Sequence, residues 1–96
     1  MKRVVKLPFP EECFIDTPGN LGAAIRAART GQGMTLEEAA MVIGIAKQTL
    51  CDIEAGKATV GWGLVMKVAH ELGVSLFMAP AKDREHIRSL IRSTRS

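Results

Sequence analysis

The sequence predicts an all-α fold, a bundle of about four helices followed by one short strand. Three observations predict it. Apolar residues recur at helical spacing over residues 17–31, 35–43, 47–55 and 62–72, and capping residues or glycines bound these stretches. The helical stretches are rich in Ala, Leu, Ile, Val and Met, and the chain has no Tyr, which favours helices over a sandwich or barrel. The run Val74 to Ala79 is β-prone and stops at Pro80. Hydrophobic residues are 47% of the 96, so one core can form without metals or disulfides. A domain of this size is still marginally stable alone and gains from pairing with a copy.

Residues 1–16 hold two prolines and no helical period. Val4, Val5 and Leu7 can form a short strand that Pro8 and Pro10 end; a flexible arm satisfies the same residues. Lys2, Arg3 and Lys6 would let such an arm touch phosphate or a minor groove.

Thr17-Pro18 opens the first helix, Thr as N-cap and Pro at the first helical position. Leu21, Ala24, Ile25 and Ala28 form its apolar stripe, and Gly31 and Gly33 end it. The second helix begins at Thr35, with Glu38 completing a capping box. Its inner face is Ala39, Ala40 and Ile43, and Gly44 stops it. The third runs from Lys47 to Ala55, with Leu50 and Ile53 facing in and Lys47, Gln48, Cys51 and Asp52 left outside. Two short helices joined by a glycine-bearing turn form the helix-turn-helix pattern, whose second helix can enter a major groove. An ordinary helical hairpin in a small bundle fits the same residues.

The fourth helix is expected from about Trp62 to Leu72, its buried stripe Trp62, Val65, Met66, Ala69 and Leu72, with the lone Trp as a core anchor. The strand Val74, Ser75, Leu76, Phe77, Met78 and Ala79 cannot stand alone, because its backbone groups need partners. A second copy of the chain supplies them if two such strands pair antiparallel across a two-fold axis. Residues 81–96 form a basic tail that reads either as a frayed, solvated end or as a short amphipathic helix with Ile87, Leu90 and Ile91 on one face. The expected organisation is an arm (1–16), a helix-turn-helix domain (17–80, dimerisation strand 74–79) and the tail.

The net charge of +3 is unevenly placed. In residues 1–16, Lys2, Arg3 and Lys6 balance Glu11, Glu12 and Asp16, and residues 17–79 are also neutral. The whole excess lies in residues 80–96, where Lys82, Arg84, Arg88, Arg92 and Arg95 outnumber Asp83 and Glu85. Since DNA affinity leans on phosphate neutralisation, a neutral reading head weakens that case unless one face is basic.

Cys13 and Cys51 are far apart and show no metal-ligand spacing. With no signal peptide and no long apolar run, they suggest a reducing cytoplasm and no membrane segment. No enzyme is expected, nor any cofactor: Cys51, Asp52 and His70 are the only tempting trio, and no nucleophile-elbow signature accompanies them. His70 and His86 read as surface histidines, and Cys51 as a small stand-in for Ser.

Together these residues resemble the Cro/CI-like (Xre-type) helix-turn-helix family, a lambda-repressor-like bundle. The resemblance covers Leu21 to Leu76: Arg29 six residues before the capping Thr, then TxxEAA, then G-I-A-x-x-T-L-x-x-I-E-x-G-K, then a helix ending A-x-x-L-G-V. Within the family, EAGKATV followed by a helix and VSLFMAP is most similar to HipB-type antitoxins. There the segment after the last helix builds a sheet between two subunits. The resemblance implies a homodimeric autorepressor of a toxin–antitoxin operon, binding a palindromic double-stranded DNA operator and partnered with a HipA-like Ser/Thr kinase toxin.

It further implies a structural ion pair between Arg29 and Glu54. It places base reading on Lys47, Gln48, Cys51 and Asp52, with Ala46 and Thr49 at the edge, and phosphate contacts on Thr35 and Lys57. The chain departs from the family at Leu36, where Gln is frequent, at Ala46, where a Ser or Thr cap is usual, and at Ala55, where a polar residue often stands. The alternatives are a protein-interaction subunit that neutralises a kinase toxin with weak or no DNA binding, and a stand-alone phage-type repressor.

Overall fold

The computed structural model describes residues 3–95; Lys2, one of the three cations assigned to the arm, lies outside the described residues. Five α-helices follow in order: α1 (Pro18–Gly31), α2 (Leu36–Ile43), α3 (Lys47–Glu54), α4 (Trp62–Glu71) and, after one 3₁₀ turn at Ala81–Asp83, α5 (Arg84–Arg95).

Local chemistry sets the first two boundaries. Thr17 caps α1 by accepting from the Asn20 N–H, with Pro18 just inside. Thr35 caps α2 with both halves of the capping box formed: its hydroxyl accepts from Glu38 N–H at 3.1 Å, and Glu38 Oε1 accepts from Thr35 N–H at 3.0 Å. Gly44 ends α2 at φ +86°, in the left-handed region.

The core lies where α1, α2 and α3 meet the inner side of α4. Ile25, Leu50 and Val68 are its fully buried centre, and Ala39, Ala40, Ile43, Ile53, Ala69 and Leu72 surround them. The helix-turn-helix is held against α1 by an unusually close backbone approach. A β-carbon on Gly22 would stand 2.6 Å from the carbonyl oxygens of Ile53 and Glu54. Gly56, at φ +77°, passes so near α1 that a β-carbon would meet Gly19 Cα at 2.5 Å. Only glycine serves at either place.

The structure bears on four of the expectations. Trp62 and Met66 do not face the core: they are 55% and 46% exposed. The first turn of α4 is apolar on every side, so its wheel does not say which arc turns inward; packing selects Leu64, Val65, Val68, Ala69 and Leu72. The possible strand at Val4 to Leu7 is absent. That segment instead lies along α1, its Leu7 N–H donating to the buried Thr30 hydroxyl at 3.1 Å. Residues 74–79 form no strand, and none occurs among the described residues. Val74 is buried and its N–H closes α4 on Ala69 O at 2.8 Å, and among the described residues no strand pairs with the segment after it. Finally, of the two readings of the tail the structure takes the helical one, as α5, which follows the four helices of the bundle.

Candidate nucleic-acid interface

The outward face of α3 is where the sequence places recognition. Leu50 and Ile53 point into the core, so the opposite side must face solvent. Ala46, Lys47, Gln48 and Cys51 are exposed there, while Thr49 and Asp52 are half-buried at its margins. Ala46 caps α3 without a side-chain hydrogen bond, leaving that first turn without the usual hydroxyl.

This face carries its own counter-charges. Lys47 Nζ lies 3.0 Å from Glu37 Oε1 in the first turn of α2. Gln48 Nε2 donates to Asp52 Oδ1 at 2.9 Å, and Lys57 Nζ lies 3.8 Å from Asp52 Oδ2. Both lysines are more than half exposed, so these ion pairs contribute at most about 1 kcal/mol and can exchange for phosphate. Thr35, the other phosphate candidate, has its hydroxyl and its own N–H committed to the capping box. What the α2 N-terminus can still offer a phosphate is its first backbone N–H groups and the positive end of the helix.

Arg29 and Glu54, the ion pair that the family resemblance implies, meet at the end of α3. Arg29 Nε and Nη2 donate to the two oxygens of Glu54 at 2.7 and 2.9 Å, and Nη1 donates to Met34 O at 2.8 Å. The side chains are only 7% and 6% exposed. One planar guanidinium therefore ties the end of α1, the loop before α2 and the end of α3, which fixes how α3 is presented.

Sequence reasoning did not find a second polar assembly, which joins the arm to the tail. Arg88 pairs with Glu12 at 2.8 Å and also with Glu85; Arg84 pairs with Asp16 at 2.6 Å; Arg95 donates to Pro10 O at 2.8 Å. Phe14 packs edge-on against Phe77 with Arg84 4.4 Å above its ring. The Arg88 hydrogen bond, helped by the Phe14 N–H, holds the Glu12 carboxyl below its ordinary pKa of 4.5. The signal was the matched spacing of Glu12 and Asp16 with Arg84 and Arg88, four residues apart in each pair. Much of the tail's excess charge is thus used within the chain.

Cys51 and His70 are both exposed, on α3 and α4, and both cysteines are free thiols. Among the described residues no group of three or more His, Cys, Asp or Glu side chains could hold a metal ion, and no helix is long and apolar enough to cross a membrane.

Residues 25–77 match the family model described as helix-turn-helix. The chain is 38% identical over 72 residues to an uncharacterized HTH-type transcriptional regulator, y4mF, of Sinorhizobium fredii (strain NBRC 101917 / NGR234). That alignment covers 74% of this chain and 95% of the relative. No solved structure matches significantly.

Proposed function

The chain belongs to the helix-turn-helix family of DNA-binding transcriptional regulators, and from that premise we propose that it is a sequence-specific repressor and antitoxin. In this reading it binds a palindromic operator as a homodimer in the cytoplasm, represses its own operon and neutralises a HipA-like Ser/Thr kinase toxin. The observation that carries the DNA reading is the outer face of α3: Leu50 and Ile53 anchor the helix while Lys47, Gln48 and Cys51 stand in solvent, with Ala46, Thr49 and Asp52 bordering them. Lys and Gln are side chains that bond guanine and adenine edges in the major groove. Lys57 and the start of α2 at Thr35 flank that face as phosphate contacts.

The homodimer is supported by the segment after α4. Phe77 and Met78 are 49% and 97% exposed, and residues 75–79 lack regular structure. Pairing two copies of Val74 to Ala79 would satisfy their backbone groups, cover these side chains and set two α3 helices about 34 Å, or a multiple of that, apart. The kinase partner rests on the resemblance of EAGKATV and VSLFMAP to HipB-type antitoxins.

A mobility-shift titration with the DNA upstream of the chain's own gene tests this, with salt varied. The proposal predicts retardation that weakens steeply as salt rises; no retardation at low salt would overturn it. A second reading, an interaction subunit with weak DNA binding, is favoured by one observation: the lysines nearest the groove, Lys47 and Lys57, already have carboxylate neighbours. Under that reading the chain binds a kinase toxin but gives no shift.

A further inference from the structure

Asp52 is the residue on the outer face of α3 least suited to meeting DNA, because a carboxylate there repels phosphate. Its surroundings give it a different task. It lies one helical turn beyond Gln48, so the two side chains share a face. Its side chain is 27% exposed, whereas Gln48 stands in solvent, so the carboxylate is the better held of the two. An ionised carboxylate only accepts hydrogen bonds. The Gln48 atom that faces it must therefore be the amide nitrogen, which lies 2.9 Å from Oδ1. The main chain reinforces the arrangement, since Lys57 N–H donates to Asp52 O at 3.0 Å and brings Lys57 Nζ to the other carboxylate oxygen.

The consequence is a restricted hydrogen-bond pattern on Gln48. A glutamine amide has two N–H donors and one carbonyl acceptor. When the N–H remote from the carbonyl is the one that Asp52 takes, the carbonyl oxygen and the N–H beside it remain. Adenine offers the complement in the major groove, an N6 donor beside the N7 acceptor. Guanine offers two acceptors, N7 and O6, which a free glutamine could meet with both N–H groups and a tethered one cannot. We propose that Asp52 is a specificity-determining positioning residue that commits Gln48 to adenine and against guanine, and does not itself read a base. This rests on the reading of α3 as the base-reading helix.

The test is selection from a random-sequence duplex pool at low salt, using the full chain as wild type, Gln48→Ala, Asp52→Ala and Asp52→Asn. Asp52→Ala lies on an outer helix face and raises helix propensity, so the fold is retained. The wild type is expected to select an adenine in each half-site that Gln48→Ala no longer selects. Asp52→Ala should lose roughly tenfold of that adenine preference, with guanine rising at the same position. Its affinity for the unselected pool should rise a few-fold, because a repelling charge has gone. Asp52→Asn, whose amide oxygen still accepts from Gln48, should keep the preference while sharing the rise in pool affinity. A merely structural residue would not produce a gain and a loss together. Unchanged adenine preference in Asp52→Ala overturns the proposal, as does loss at a position that Gln48→Ala leaves intact, which would make Asp52 a direct reader. Wild-type protein that selects no sequence overturns the DNA reading itself, and this proposal with it.

Discussion

Replacing Glu54 by Ala probes the contact that fixes α3 against α1. The substitution removes both acceptors of a bidentate pair with 2.7 and 2.9 Å bonds and leaves Arg29, 7% exposed, without its counter-charge. The remaining bond to Met34 O cannot compensate a buried cation. Breaking one side of such a pair costs about 3–5 kcal/mol. A chain of this length has roughly 5–14 kcal/mol in total, so Glu54→Ala should be barely folded at 37 °C. In a thermal melt followed by circular dichroism, Tm should fall by roughly 12 °C or more. Arg29→Lys keeps the charge but loses the fork, and should cost about 1–3 kcal/mol. The joint replacement Arg29→Met with Glu54→Met leaves no orphaned charge and should be less damaging than Glu54→Ala alone. A loss below about 1 kcal/mol in Glu54→Ala, or a double variant whose loss equals the sum of the single ones, would mean that the pair does not hold α3 in this way.

Other expectations concern packing, the arm and phosphate. Gly22→Ala should destabilise by about 1–3 kcal/mol in urea titrations despite alanine's higher helix propensity, because its β-carbon meets two carbonyl oxygens; Gly63→Ala, in open space on α4, should stabilise by about 0.5–1 kcal/mol. Glu12 is held below its ordinary 4.5, so its contribution is complete above that pH and is lost as pH falls through the lower folded value. The Phe14 amide resonance, which reports its bond to Glu12 Oε2, should therefore titrate with a midpoint below 4.5 in wild type and move up in Arg88→Ala; a wild-type midpoint at or above 4.5 contradicts this. Lys57→Ala should lower the slope of log affinity against log salt by about 1 per bound protomer and leave the selected sequence unchanged.

The parts of the fold that were legible in the sequence are those set by near neighbours. The Thr17 and Thr35 caps, the Gly44 turn and the inward pair Leu50 and Ile53 depend on chemistry within a few residues. The Arg29–Glu54 pair is 25 residues apart and was found only through family resemblance. The clasp between Glu12, Asp16, Arg84 and Arg88 carries no local signal, because the arm is neutral and the tail basic by themselves and the partners lie 68 and 76 residues apart. Trp62 was misplaced because size and hydrophobicity do not decide orientation in a turn where Leu64 and Val65 compete for the same core. The close approach of α1 to the end of α3 falls at Gly22 and Gly56, whose spacing carries no periodic signal.

In the proposed complex two copies of α3 read one duplex. Methylation protection of guanine N7 on the DNA upstream of the gene, with the protein stoichiometry measured in parallel, tests it most directly. Two protected major-groove patches related by a two-fold axis and about 10 base pairs, or a multiple of that, apart are expected, with two chains bound. A single patch, a complex containing one chain, or no protection at low salt would contradict it.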